Sequence, residues 1–398
     1  MKKPLLRFIL LLTGCFTLLI AVFTLSPSQS KPVGKNTICL NMIVKNESAV
    51  IEKCLNSTKN LIDYWVIVDT GSTDGTQEII KNCMKGIPGE LHERPWVNFG
   101  HNRDEALQLA KNKAEYSLFI DADETLVFSK DFKKGILDKD VYGIVLKYGQ
   151  TEGIRDFLVR NALDWHWKGV LHEILDSTER KTSAVIQGVF NLSEVATGAR
   201  AKNPRKHLDD AEALKKGLEK EPGNLRYQFH LGQCYVAAEK YPLALEAYQK
   251  RISMGEGSSD DYFYSLYMSA RLQDLLEMPI LVVTESYNRA HMYRPWRLEP
   301  LFYLGCYYVR KEKDLLAYET LKKASLITPR TDDFFNIDTG ITWQLYYQLA
   351  GASWRLGKSK DALEACKKTV QYPDVPESIR QDLNRDIIEI QNLIQKGL

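Results

Sequence analysis

Closely spaced cysteines, which a structural zinc site or a redox dithiol requires, are missing from this sequence. Its seven cysteines are scattered over 398 residues: Cys15, Cys39, Cys54, Cys83, Cys234, Cys306 and Cys366. We interpret them as thiols that pack like small apolar side chains, because free cysteine is usually buried in that way. The cysteine spacing therefore indicates neither a zinc-ribbon nor a thiol-redox function.

An excess of one charge sign is also missing. Lys and Arg together number 53 and Asp and Glu number 51, and no block of basic residues forms a stripe. Proteins that bind nucleic acid usually carry such a stripe, so this balance argues against a nucleic-acid partner. Any anionic ligand has to be held by a few local side chains.

The first 36 residues predict attachment to a membrane. Residues 5–25 are almost wholly apolar and follow Lys2 and Lys3, and a run of this length can span a bilayer as a helix. We interpret it as an uncleaved single-pass anchor and leave the side of the membrane on which the rest of the chain lies open. A cleaved signal peptide is an alternative, and so is a bacterial lipobox at Cys15. Residues 26–36 are rich in Ser, Pro and Lys and predict a linker.

Residues 37–200 predict an α/β domain. Short β-branched runs alternate there with amphipathic segments. Strands are expected at residues 38–44, 65–68, 116–120 and 142–147, and helices at residues 48–61, 76–84 and 102–112. This alternation predicts a mostly parallel sheet that helices cover on both faces.

Residues 201–398 predict an all-α domain of tetratricopeptide-like helical hairpins. The two clearest copies of the repeat pattern are Leu231, Gly232, Tyr235, Ala244 and Tyr248, and then Leu304, Gly305, Tyr308, Ala317, Leu321, Ala324 and Pro329. Weaker copies lie at residues 349–362 and 287–295. Small residues in this pattern let two helices approach closely, and the stacked hairpins form an extended surface. The array therefore predicts a binding surface for a protein partner.

Polar residues follow the predicted strands, at the edge where an open parallel sheet binds its ligands. They are residues 45–47, 69–76 and 121–124 and, further on, Arg155, Arg160 and residues 165–173. Taken alone, residues 69–76 also suit a turn with a helix N-cap, and Asp121 and Asp123 suit a solvated acidic turn. Since these two carboxylates share one face of an extended strand end, they also predict oxygen ligands for Mg²⁺ or Mn²⁺. The order of the motifs behind successive strands favours a ligand site.

The chain resembles the family-2 glycosyltransferases. The matching phrases are residues 42–47 (MIVKNE), 68–76 (VDTGSTDGT) and 119–124 (FIDADE), within a resemblance that covers about residues 37–173. Residues 98–103 (NFGHNR) and the pair His172 and Glu173 are similar to a bacterial subgroup that includes lipopolysaccharide-core glucosyltransferases. A peptide S-glycosyltransferase has a similar layout of such a domain joined to helical repeats. The resemblance implies a GT-A fold and the transfer of a hexose, with inversion, from a nucleoside diphosphate sugar to a glycan, lipid or protein acceptor. UDP is the first candidate for the nucleotide and GDP is the second.

The resemblance also implies how the donor is held. Glu47 and Asp69 would contact the base and ribose of the nucleotide, and Asp121 would contact the ribose or the metal. Asp123 would hold the metal, Mn²⁺ or Mg²⁺, that bridges the diphosphate. Thr70 stands where the family often has a second acid, which leaves the details of nucleotide contact open.

Further roles follow for basic and catalytic groups. Arg103 and Arg160 are candidates for binding phosphate oxygens, because a guanidinium forks well onto them. Asp104 stands where Asn is common in the family. Glu173 is the candidate general base that deprotonates the acceptor, or it orients His172 through a hydrogen bond. His172 itself is a candidate metal ligand or phosphate contact, with a structural role as the alternative.

Hypotheses from other classes remain. The chain could be a catalytically inactive tetratricopeptide scaffold, although every acidic position needed for metal and nucleotide is present. It could also be a pyrophosphorylase, but such enzymes open with a Gly-rich basic phosphate loop, which residues 38–47 lack. Trp165 and Trp167 either stack a sugar or pack the sheet edge. If the chain is an enzyme, we expect residues 37–200 to hold the donor and the helical array to position the acceptor.

The anchor prediction has a direct test. Removal of residues 1–30 deletes the apolar run, so the shortened protein is expected to stay in the supernatant when membranes are sedimented. The full chain is expected in the pellet until detergent is added. Detection of a mature N-terminus beyond Ser26 in cells would show a cleaved signal peptide and contradict the anchor.

Overall fold

The structure, a computed structural model, describes residues 34–148, 151–179, 181–193, 198–328 and 341–396. The predicted anchor at residues 5–25 and the linker up to residue 33 lie outside these ranges. The repeat residue Pro329 also lies outside them. Within them, no helix is both long and apolar enough to cross a membrane. The six cysteines in the described ranges are all free thiols.

The chain forms a sheet-containing part followed by a helical part. The strands are β1 (Ile38–Val44), β2 (Tyr64–Asp69), β3 (Gly89–Glu93), β4 (Tyr116–Phe119), β5 (Glu124–Phe128), β6 (Val141–Tyr148), β7 (Thr151–Arg160), β8 (Trp165–Lys168), β9 (Ile174–Ser177) and β10 (Ser183–Ser193). The helices among them are α1 (Ile51–Thr58), α2 (Thr76–Cys83) and α3 (Phe99–Ala110). The later helices are α4 (Lys206–Lys220), α5 (Leu225–Ala237), α6 (Tyr241–Ser253), α7 (Ser259–Leu275), α8 (Ile280–Tyr293), α9 (Glu299–Arg310), α10 (Asp314–Ala324), α11 (Ile341–Arg355), α12 (Ser359–Thr369) and α13 (Glu377–Gln395). The predicted boundary at residue 200 falls between β10 and α4.

The main sheet is mixed, which corrects the expectation of a mostly parallel sheet. Its strand order is β3-β2-β1-β4-β7-β6-β10-β5. The first four strands are parallel, as predicted. Beyond β4 the sheet continues with β7, which runs antiparallel to both β4 and β6. β6 and β7 form a hairpin, β10 runs parallel to β6, and β5 runs antiparallel to β10, so this half of the sheet is not built from helix-linked parallel strands.

Alternating residues of β1 explain how helices cover the sheet. Ile38, Leu40 and Met42 join the core that α1 and α2 cover on one face. On the other face, the buried amide of Asn41 donates to the carbonyl of Ala106 in α3 at 2.7 Å. This period of two buries both faces of the strand and leaves its carboxyl end free to present polar groups.

The helical part consists of antiparallel hairpins, and the predicted repeat pattern is confirmed in its two clearest copies. They form the hairpins α5–α6 and α9–α10, each with a connection of three residues. A Cβ on Gly232 would lie 2.8 Å from the Tyr248 ring, and one on Gly305 would lie 2.5 Å from Leu321. Both glycines are therefore needed because the paired helices approach too closely for a side chain.

The sheet part and the helical part pack directly against each other. Leu171, in the connection between β8 and β9, joins a buried cluster with Ala211 and Leu214 of α4 and with Tyr227 of α5. The Tyr227 hydroxyl accepts a hydrogen bond from the Val170 amide at 3.0 Å. The β8–β9 connection is therefore held between α3 and the first helical hairpin.

Gly100 fixes the approach of α3 to that connection. Its amide donates to the Gly169 carbonyl at 3.1 Å, and a Cβ at position 100 would lie 2.1 Å from the same oxygen. Helix propensity favours alanine over glycine by about 1 kcal/mol. Any destabilisation by alanine at this position therefore comes from the clash.

We expect Gly100→Ala to lower the free energy of unfolding by about 1 to 3 kcal/mol, the usual cost of overpacking. Urea denaturation of the full chain measures this change. Gly135→Ala is the control, because a Cβ on Gly135 meets nothing within 4 Å. Equal stabilities for the two variants would contradict the packing described for α3.

Candidate active site

A cavity of about 1020 Å³ opens at the carboxyl ends of β1 and β4. The β8–β9 connection, the segment before α3 and the helix α4 supply its other walls. The predicted site residues that line it are Glu47, Arg103, Asp121, Asp123, His172 and Glu173. Six of the eight predicted site residues thus lie around one space, although they come from four separate segments of the chain.

Arg103 connects the two sides of this cavity. Its Nε donates to Glu173 at 2.6 Å and its Nη2 donates to Asp121 at 2.5 Å. The side chain is only 13% exposed, and the guanidinium lies 5.4 Å from the centre of the Trp167 ring. Burial disfavours its charged form, but the two carboxylates more than offset this and raise the pKa of Arg103. The arginine is therefore a permanent positive charge between two acids.

Three carboxylates gather on the opposite wall. The Glu47 carboxylate accepts a hydrogen bond from the Ala199 amide at 3.1 Å. A Cβ on Gly198 would lie 2.9 Å from an Asp123 oxygen and 3.5 Å from a Glu47 oxygen, so this backbone covers both acids. Burial and then the charge of Asp121 raise the pKa of Asp123. Burial and, among other causes, the charge of Asp123 raise the pKa of Glu47.

Asp121 differs from these two acids because two arginines act on it. Burial alone would raise its pKa, but the charges of Arg103 and Arg155 hold the pKa of Asp121 below its ordinary value. Arg155 itself pairs with the buried carboxylate of Glu124. Asp121 is therefore ionised, and 43% of its side chain remains exposed.

Asp69 organises the loop between β2 and α2. One of its carboxylate oxygens accepts hydrogen bonds from the amides of Gly71 and Ser72, both at 2.8 Å. The other oxygen is buried and has no hydrogen-bond partner among the described residues. Asp69 is not among the residues that line the cavity, so the structure shows a loop-forming role and leaves nucleotide contact as a prediction.

Arg160 lies elsewhere, which corrects its assignment to the phosphate site. Its Nη2 donates to the Tyr116 hydroxyl at 2.6 Å, and its Nε lies 3.8 Å from Asp140. The reason is strand direction. Because β7 runs antiparallel to β4, its last residue pairs with Tyr116, the first residue of β4. Arg160 is thus at the amino edge of the parallel strands, opposite the cavity.

The predicted metal cluster of Asp121, Asp123 and His172 is not assembled in the described ranges, where no group of three or more His, Cys, Asp or Glu is arranged to hold a metal. The His172 ring stacks on His230 of α5, with centroids 3.9 Å apart. Burial and then the charge of Arg226 lower the pKa of His172, which keeps it neutral. The carboxylates of Asp121 and Asp123 are still suitable ligands for a divalent cation, because a cation would relieve the repulsion between them.

The two tryptophans, for which sugar stacking and packing were both open, pack against inner strands of the main sheet and do not line the cavity. Trp165 is 4% exposed within an apolar cluster, and the Trp167 ring meets Phe119 edge-on at 5.2 Å. Trp96 and Phe99 line the cavity instead; Trp96 is 42% exposed and contacts Phe99 edge-on.

Sequence reasoning missed the cavity residues that lie after β10. Gly198 and Ala199 cover the acids, and Lys206, Asp209 and Asp210 of α4 form part of the wall. They follow no strand of the parallel half of the sheet, so the rule that ligands bind beyond strand ends could not find them.

Comparison with known proteins identifies the sheet part. Residues 39–154 match the family model described as Glycosyl transferase family 2. The SPbeta prophage-derived glycosyltransferase SunS of Bacillus subtilis (strain 168) is 38% identical over 98 residues, which are 24% of this chain and 22% of that protein. An uncharacterized glycosyltransferase of Rickettsia bellii (strain RML369-C) is 36% identical over 85 residues, 21% of this chain and 27% of the relative. The matches thus span about a quarter of the length of these relatives.

The chain therefore carries a family-2 glycosyltransferase domain, and that prediction is confirmed. The subgroup of lipopolysaccharide-core glucosyltransferases stays a prediction. Among solved structures, the crystal structure of MamA is similar over 42% of this chain and 88% of that chain, with 17% identity and a TM-score of 0.35. A likeness at this level supports no functional argument.

The raised pKa of Asp123 generates a test of its environment. A raised carboxyl pKa means that the charged form is less stable in the folded protein than in the unfolded chain. This cost is absent below the ordinary pKa of the carboxyl and is present in full once the pH exceeds the raised value. At pH 7 without a divalent cation, Asp123→Asn is therefore expected to raise the melting temperature slightly.

Added Mn²⁺ should stabilise the wild type and leave Asp123→Asn unchanged, because a cation bound only by the folded state raises stability. Thermal denaturation with and without Mn²⁺ measures both effects. An equal Mn²⁺ response in the two proteins would contradict the assignment of Asp123 to a cation site.

Proposed function

We propose that this chain transfers a hexose from a nucleoside diphosphate sugar to a glycan, lipid or protein acceptor. A UDP-sugar is the first candidate for the donor and a GDP-sugar is the second. The observation that carries the proposal is the meeting of Glu47, Arg103, Asp121, Asp123 and Glu173 around one cavity of a family-2 glycosyltransferase domain. A cavity of about 1020 Å³ has room for a sugar nucleotide together with part of an acceptor.

The acidic wall would hold the donor. Glu47 is the nucleotide contact that the cavity supports, and Asp69 shapes the adjoining loop from behind it. Asp121 and Asp123 would hold Mn²⁺ or Mg²⁺. The cation would supply a Lewis acid that offsets the charge of the departing diphosphate. Support for this assignment is that both carboxylates line one cavity, where burial and then the charge of Asp121 raise the pKa of Asp123.

Glu173 remains the proposed general base, and inversion at the anomeric carbon follows from that role. Its carboxylate is 12% exposed and lines the cavity, where an acceptor hydroxyl could approach. Its hydrogen-bond donor is Arg103 and not His172, so the alternative role is to position the arginine. The two roles differ in which kinetic constant they affect.

Membrane attachment through residues 5–25 is part of the proposal, and it would present the enzyme to an acceptor near a membrane. Exposed apolar side chains of the helical hairpins, such as Leu281 and Met292, are compatible with a protein partner there.

The function can be tested with a panel of sugar nucleotides. In the presence of Mn²⁺ or Mg²⁺, purified protein is expected to release nucleoside diphosphate from at least one of them. The release should be slow when the sugar is transferred to water and faster when an acceptor is present. A chelator should stop the release. Absence of binding and turnover across UDP-, GDP- and dTDP-hexoses would favour the inactive scaffold instead.

Glu173→Gln tests the base. Glutamine keeps an oxygen that can accept from Arg103 but cannot take a proton, so kcat is expected to fall by about 10² to 10⁴. Donor affinity should change little, since a base acts on the acceptor. Steady-state transfer kinetics measure kcat, and nucleotide titration measures the donor affinity. Near-normal kcat would exclude the base role, and a loss of affinity with retained kcat would assign Glu173 to positioning Arg103.

A further inference from the structure

The first helix of the helical part forms one wall of the candidate active site. Lys206, Asp209, Asp210 and Ala213 of α4 all line the cavity. Their spacing of three, four and seven residues places them on one face of the helix. The packing of Leu171 against α4 and α5 holds this face towards the β8–β9 connection. The helical part is therefore a structural component of the site.

Both arginines that line the cavity are already paired with carboxylates. Arg103 is bound to Asp121 and Glu173. Arg200 is bound to Asp210 and lies over the Phe99 ring at 4.6 Å. A guanidinium held by carboxylates in this way is poorly available to a diphosphate, because the ion pairs would have to break first.

The side-chain ammonium groups of Lys45 and Lys206, which also line the cavity, form no ion pair or hydrogen bond with any residue in the described ranges. Lys45 is exposed where it follows β1. Lys206 is half-buried, and its charge acts on Asp123, lowering the pKa that burial and Asp121 raise. Lys206 is thus the ammonium close to the acids that would hold the cation.

The position of Lys206 in its helix adds to this charge. It is the first residue of the 15-residue helix α4, and the amino end of a helix carries a partial positive charge. An ammonium at that end suits an anion with two phosphate groups.

We propose that Lys206 binds the diphosphate of the donor and stabilises it as the leaving group. This inference rests on the proposed glycosyl transfer. In that reaction a bond forms between the acceptor oxygen and the anomeric carbon, and the bond from that carbon to the diphosphate oxygen breaks. The electron pair stays on the diphosphate, and the acceptor proton passes to the base. The ammonium of Lys206 offsets the new negative charge.

The inference changes the expected division of labour between the two parts of the chain. A donor site confined to residues 37–200 would lack this lysine. With Lys206 in the site, donor binding depends on the helix α4, while the hairpins that follow α4 stay available for an acceptor or partner.

The test is titration of the full-length protein with UDP, UMP and uridine in the presence of Mn²⁺, with GDP as a second diphosphate. Lys206→Ala is expected to weaken UDP binding by roughly 10- to 100-fold, as expected for loss of a hydrogen bond to a charged group. UMP should be affected less and uridine not at all. Lys206→Arg should restore part of the affinity.

Lys216→Ala is the matched control, because Lys216 is exposed on the same helix and does not line the cavity. Its UDP affinity should equal that of the wild type, and circular dichroism should show all variants folded. Unchanged UDP affinity in Lys206→Ala overturns the inference, as does an equal loss for UDP and uridine. A loss of UDP affinity in Lys45→Ala but not in Lys206→Ala also overturns it. A wild type that binds neither UDP nor GDP would overturn the proposed function itself.

Discussion

The structure of the site depends on the buried guanidinium of Arg103. A buried arginine keeps its charge, and removal of that charge from water is costly unless carboxylates compensate for it. Asp121 and Glu173 provide this compensation from opposite walls of the cavity. The ion pairs therefore join three distant segments, which are the helix α3, the end of β4 and the β8–β9 connection.

Close backbone packing makes these ion pairs possible. The contact of Gly100 with Gly169 seats the first turn of α3 against the β8–β9 connection. Tyr227 and the apolar side chains of α4 hold the same connection from the other side. Packing of this kind holds the side chains of the site in place, which a catalytic constellation requires. The site consequently lies at the junction of the sheet part and the helical part.

Local sequence patterns predicted the parallel half of the sheet well. The strand expected at residues 38–44 is β1, with the same ends, and the glycines of the repeat motif do allow close helix approach. In the other half of the sheet only β6 was predicted, as the strand at residues 142–147, and its pairing with antiparallel β7 was missed because pairing depends on long-range register, which a local pattern does not contain. That error misplaced Arg160. The same limit hid Lys206, whose position at the cavity comes from packing between the two parts of the chain.

A crystal structure of the protein soaked with Mn²⁺ and UDP would test the central claim most directly. The account predicts the nucleotide in the cavity at the ends of β1 and β4, with the cation between the diphosphate and Asp123. It also predicts that Arg103 remains bound to Glu173, since that pair holds the wall in place. Nucleotide bound outside this cavity, or diphosphate density with neither a cation nor a basic side chain beside it, would contradict the account.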